Sequence, residues 1–170
     1  MIERIKLYFS WSYSNVLFAL HARQDTDSLT LSLTLSLSLS HLIFSIGYSG
    51  FEDRCYKYVS TVVVWATAKS NCQTEGAWLT TVSSANTQSF LFSLFAKQMD
   101  SWIGLTDAAV EGSFVWDHGE TASYRNWCTG EPNGGIWENC VISAGSLWVD
   151  VGCSLPYTYA YICEKYRASK

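Results

Sequence analysis

Apolar and polar positions divide the chain into three zones. Behind a head carrying Glu3, Arg4 and Lys6, the stretch Leu7–Ala22 is uncharged and fairly apolar. That layout reads as a signal peptide cut after Ala22, although Ser10, Ser12, Ser14 and Asn15 interrupt its apolar region. From Ser28 to Ser40, leucine alternates with Ser or Thr without a break. Period two is strand-like, but perfect repetition is low complexity. A CT dinucleotide repeat read in triplets encodes Leu-Ser, so the segment reads as translated repeat DNA. Leu29–Ile46 is an uncharged run of 18 residues and reaches the lower limit for a membrane span. Nearly half of it is Ser, Thr or His, which makes an anchor through 29–46 the weaker reading. Residues 1–47 are thus expected to be an extension that does not fold.

The third zone, 48–170, carries the periodicities of one folded domain. Cys55–Val59 reads as a short aromatic strand. Thr67–Cys72 is helical, with Trp65, Ala68 and Cys72 at i, i+3 and i+7 on one face. Ser83 or Ser84 caps a second helix running to about Gln98, with Phe90, Leu91, Leu94 and Phe95 on its apolar face. Trp102–Leu105 is a buried strand. Thr106–Asn139 is rich in Gly, Asn, Asp and Glu and reads mostly as loop. Leu147–Asp150 and Tyr159–Cys163 close the pattern as strands. Helices early and strands late predict an α+β domain.

Charge excludes one class of partner. The net charge is −4, with no run of Lys or Arg, so nucleic acid and anionic membrane surfaces are not expected partners. Cysteine is more informative. Cys55, Cys72, Cys128, Cys140, Cys153 and Cys163 all lie in the third zone, and none shows a Cys-x-x-Cys or zinc spacing. An even count spread through a Trp-rich domain predicts a disulfide framework, hence a secreted or cell-surface, extracellular setting. Six cysteines allow fifteen pairings, and spacing does not choose among them.

A series of landmarks then identifies a family resemblance. In order they are Cys55-Tyr56, Trp65-x-x-Ala68-x-x-x-Cys72, Gly76-Ala77-x-Leu79 and Trp102-Ile103-Gly104-Leu105. They continue with Tyr124-x-Asn126-Trp127, Glu131-Pro132-Asn133, Trp137-Glu138-Asn139-Cys140, Trp148-Val149-Asp150-x-x-Cys153 and Cys163. The series resembles the C-type lectin domain over about 120 residues of this chain. The resemblance implies two helices with antiparallel sheets and a long calcium and ligand loop. It also implies Cys72–Cys163 and Cys140–Cys153 bridges. Long-form members pair the counterpart of Cys55 with an upstream cysteine, but Phe44 stands at that place here. Cys55 is then left alone or paired with Cys128, and Cys128 could instead bridge two chains.

The same resemblance implies a site. Family members that bind sugars hold Ca²⁺ in the long loop, and the ion bridges protein oxygens and two sugar hydroxyls. Calcium takes six to eight hard oxygens. Glu131, Asn133, Glu138 and Asp150 match those ligand positions, and Pro132 resembles a cis-proline between two ligands. The Glu-Pro-Asn order is similar to members preferring mannose, fucose or N-acetylglucosamine, a role consistent with innate immunity. Val149 departs from the pattern, because an asparagine normally precedes Asp150. Valine offers neither an oxygen to calcium nor an N–H to sugar. An auxiliary calcium site retains Asp107 and Glu111, but Gly134 and Asn139 stand where acids are usual. The alternative is a calcium-independent module that binds an extracellular protein.

Trp102, Trp116, Trp127 and Trp148 are expected in the core. Trp137 is expected to pack the base of the loop, with stacking on a sugar face as its other reading. Catalysis is not expected: His118 is the only histidine of the third zone, and Gly-x-Ser-x-Gly, His-Glu-x-x-His and phosphate-loop motifs are missing. The chain has no Asn-x-Ser/Thr sequon.

Overall fold

The computed structural model describes residues 47–95 and 100–167. The leader-like stretch, the Leu/Ser repeat, the proposed span 29–46 and Phe44 lie outside the described residues. No helix among the described residues is long and apolar enough to cross a membrane.

The elements run β1 (Ser49–Phe51), β2 (Arg54–Val63), α1 (Trp65–Thr74), β3 (Trp78–Leu79) and α2 (Ala85–Phe95). They continue with β4 (Ser101–Thr106), β5 (Val115–Trp116), β6 (Cys140–Ala144), β7 (Leu147–Val151) and β8 (Tyr159–Tyr166). One sheet carries them in the order β1-β2-β8-β4-β6-β7, with β3 added to β8 and β5 to β4. The sheet is mixed rather than wholly antiparallel, because β4 runs parallel to β8 through Ser101–Ala160 and Trp102–Tyr161. The connection from Thr106 to Tyr159 runs through the long loop and the β6–β7 hairpin, far more than the dozen residues that a parallel crossover needs.

Both predicted helices form, with shifted ends. α1 starts two residues before Thr67, at Trp65, and buries Ala68 and Cys72. The cap of α2 is Ser84: its Oγ accepts the Thr87 N–H at 3.1 Å and its carbonyl accepts the Gln88 N–H. Leu91 of the predicted apolar face is buried, but Leu94 is exposed.

Alternation along the strands splits the core into two clusters. Ile103, Leu105, Val141, Trp148 and Ile162 face one cluster, with Leu91 of α2. Trp102, Cys140, Ile142, Tyr161 and Cys163 face the other, with Ala68 and Cys72 of α1. Buried indoles find acceptors, as their N–H groups require: Trp102 Nε1 donates to the Val63 carbonyl at 2.7 Å, and Trp148 Nε1 to Gln88 Oε1 at 2.8 Å. Gly104 explains the glycine of the Trp-Ile-Gly-Leu run. A Cβ there would lie 2.6 Å from the Leu79 carbonyl oxygen, and the Gly104 N–H donates to the Thr80 carbonyl at 2.9 Å.

Two disulfides complete the frame. Cys72–Cys163 ties α1 to β8, and Cys140–Cys153 ties the start of β6 to the segment after β7. Cys55 and Cys128 are both free and half-buried, so the two do not pair with each other.

Candidate functional site

The site is built where the long loop meets β7. Strand alternation sends Trp148 into one cluster and Val149 against the other, which returns Asp150 to the Trp148 face, where it is 2% exposed. A carboxylate so placed needs donors. They come from the loop backbone. The Asn133 N–H lies 3.1 Å from both Asp150 oxygens, and the Gly134 N–H lies 3.0 Å from Oδ2. The turn before them is closed by the Glu131 N–H donating to the Cys128 carbonyl at 3.0 Å. The Glu131–Pro132 bond is cis, as is Leu155–Pro156, which the sequence did not suggest.

Glu131 crowds Asp150. Its pKa is pushed up to about 7, first by the hydrogen-bonding position it shares with the Asp150 carboxylate, then by burial and the negative charges of Asp150 and Glu138. Its Oε2 is buried, and no donor reaches it. Glu138 follows the short 3-10 turn Gly135–Trp137, and its N–H donates to the Gly135 carbonyl at 3.1 Å. Its side chain covers Gly134 so closely that a Cβ on Gly134 would sit about 2.1 Å from Glu138 Cβ. Gly134, read from sequence only as a missing acid, therefore has a positive role: it donates to Asp150 and leaves room for Glu138. The Gly134-Gly135 pair was the available signal.

Glu131, Glu138 and Asp150 thus lie in one neighbourhood, and Asn133 joins it through its backbone N–H to Asp150 and a side-chain hydrogen bond to Glu131. Among the described residues, no three His, Cys, Asp or Glu side chains converge as a ready-made metal site. The donor set nonetheless fits a hard cation. It consists of oxygens, its like charges repel, and the orphaned Glu131 Oε2 is the kind of atom an ion would satisfy. Val149 does not contribute: it is half-buried in β7 opposite Ile142 and packs against the Cys140 cluster.

The auxiliary pair differs. Asp107 is 2% exposed, and its Oδ2 accepts the Gly112 N–H at 2.8 Å, which closes the turn after β4. Its Oδ1 is buried without a partner, and Glu111 is exposed.

Most aromatic residues behave as core. Trp102 and Trp148 are fully buried, Trp116 nearly so, and Trp127 packs edge-on against Trp148 and Phe114. Trp137 corrects the expectation that it packs the loop base: at the end of the 3-10 turn it is 80% exposed.

With this geometry in view, comparison with known proteins decides the family. The family model described as the lectin C-type domain matches residues 61–165. The chain belongs to the C-type lectin domain family. This family consists of modules that bind carbohydrate or protein and are not enzymes. The mouse low affinity immunoglobulin epsilon Fc receptor is 39% identical over 117 residues, which are 68% of this chain and 35% of the receptor. This C-type lectin chain therefore corresponds to about a third of that relative. The cow CD23 carbohydrate-recognition domain, solved in the presence of a GlcNAc2Man3 oligosaccharide, superposes with a TM-score of 0.67 at 29% identity. That match covers 73% of this chain and 96% of the cow domain. A calcium-independent type II antifreeze protein gives the same TM-score at 27% identity, covering 71% of this chain and 92% of its own. A domain solved with an oligosaccharide and a calcium-independent protein of the same fold thus lie at similar distances from this one.

Proposed function

We propose that this C-type lectin domain recognises mannose-type glycans (mannose, fucose or N-acetylglucosamine) in a calcium-dependent way, and that Val149 weakens the site. The supporting observation is the gathering of Glu131, Asn133 and Glu138 around buried Asp150, with Glu131 Oε2 left without a donor. Glu131, Asn133, Glu138 and Asp150 would hold the ion. Calcium would supply a charge that draws two sugar hydroxyls against these oxygens. The chain's own residues supply direction: ionised Glu131 and Glu138 only accept hydrogen bonds, while the Asn133 amide also donates. A hydroxyl pair can then give to one side and receive from the other. The cow CD23 domain solved with a mannose-containing oligosaccharide supports this choice of sugar class. Disulfides imply an oxidising compartment, so the domain works outside the cell or on its surface.

The test is binding of the full chain to immobilised mannose, fucose, N-acetylglucosamine and galactose, with calcium and with chelator. Retention on the first three with calcium, and release by chelator, is expected. A second reading has its own observation. Asp150 is already satisfied by three backbone contacts without any ion, as a calcium-independent protein-binding module would need. Failure to bind any sugar, together with capture of an extracellular protein that survives chelator, would favour it.

A further inference from the structure

The large apolar side chains left in solvent near the site are not scattered. Trp137 is 80% exposed, Ile136 66%, Leu155 77% and Tyr157 38%. They come from two segments, the 3-10 turn before Glu138 and the loop between β7 and β8. These segments meet over buried Gly152. A Cβ there would lie 2.6 Å from the Tyr157 ring and 3.6 Å from the Trp137 carbonyl oxygen. Trp137 directly precedes Glu138, and Glu138 covers Gly134 of the Glu-Pro-Asn loop. The apolar surface therefore begins where the oxygen-rich neighbourhood ends.

Single exposed apolar residues are ordinary, but several exposed apolar side chains from two adjoining segments at the rim of a polar site mark a binding surface. We infer that Trp137 is a stacking platform for a second sugar ring of a glycan whose terminal ring sits at Glu131, Asn133, Glu138 and Asp150. The inference rests on the proposed lectin reading. The adjoining charges select the occupant. A wholly apolar partner laid on Trp137 would also cover Glu138 and strip it of water without offering it a donor. A pyranose carries both properties: its C–H face suits an indole, and its hydroxyl edge suits a carboxylate. One ring on the acidic cluster and the next on Trp137 leave no charged group unpaired.

Calorimetry on the full chain in calcium tests this with two probes, methyl α-mannopyranoside and an α-linked mannotriose. The ratio of their affinities is the readout. The parent is expected to favour the trisaccharide. That advantage should fall by about tenfold in Trp137→Ala and be kept in Trp137→Phe. An unchanged ratio in Trp137→Ala overturns the inference and leaves the lectin reading standing. No binding of either sugar, in the parent and in Val149→Asn, overturns both. Self-association that is lost in Trp137→Ala, with the sugar ratio unchanged, assigns the surface to a second copy and also overturns the inference.

Discussion

Asp150 and Asn133 are joined across the site by a forked contact: one Asn133 N–H lies 3.1 Å from each oxygen of the Asp150 carboxylate. With the Gly134 N–H at 3.0 Å, this contact anchors the Glu-Pro-Asn loop to β7 before any ligand arrives. Hydrogen bonds to an ionised acceptor contribute about 1.5–3 kcal/mol. Asp150→Asn keeps the shape but puts an amide N–H₂ against backbone donors. It should lower unfolding stability by about 1–3 kcal/mol in urea denaturation. Calcium binding should disappear in the same variant.

Removing the two bridges should have unequal effects. Cys72–Cys163 closes a separation of 91 residues, and Cys140–Cys153 one of 13. Loop entropy gives up to ~4–5 kcal/mol for the first and up to ~3 kcal/mol for the second. Paired Cys→Ala variants measured in urea should rank in that order. Calcium affinity should rank the other way among variants that remain folded, because Cys140–Cys153 pins the strands that carry Asp150 and the end of the loop.

Stability should also depend on pH through Glu164. This carboxyl is 1% exposed and is pushed up to about 7. Burial is the main cause, and it outweighs the Thr81 N–H at 2.6 Å, the Arg54 guanidinium at 2.6 Å and the Thr80 hydroxyl. A raised folded pKa means that the folded state holds the proton more tightly. This contribution is fully present below the ordinary value of 4.5 and is lost as pH rises through about 7. It amounts to up to about 3 kcal/mol across that window. The difference in stability between the parent and Glu164→Gln, measured from pH 4 to 8, should change in this direction. A flat difference would contradict it.

The parts of the fold legible in the sequence are those with a period long enough to read. α1, α2, β4, β7 and β8 all carry apolar repeats or a cap, and each forms close to its expected place. β1 and β3 have three and two residues, too few for any alternation to show. β6 was legible but missed. Val141-Ile142 is β-branched, and Gly145-Ser146 between Ala144 and Leu147 is a two-residue hairpin signal. Cys140 is at once the last residue of the Trp-Glu-Asn-Cys landmark and the first of β6. The parallel β4–β8 pairing depends on contacts far apart in sequence, which periodicity does not encode. At the site, residue types pointed to Glu131, Asn133, Glu138 and Asp150. The backbone donor of Asn133, the exposure of Trp137 and the part-buried Arg54–Glu164 pair depend on the folded chain and left no mark in the pattern.

We propose that Glu131, Asn133, Glu138 and Asp150 form a calcium site that Val149 leaves one ligand short. Calcium titration of the full chain by calorimetry, beside Val149→Asn, tests it most directly. Val149 packs half-buried against the Cys140 cluster, so the variant gives up some apolar contact while adding an amide oxygen. Saturable binding is expected in the parent, with an affinity about tenfold to a hundredfold higher in Val149→Asn, from one added ligand of about 1–3 kcal/mol. No binding in either protein, or binding that persists unchanged in Asp150→Asn, would contradict it.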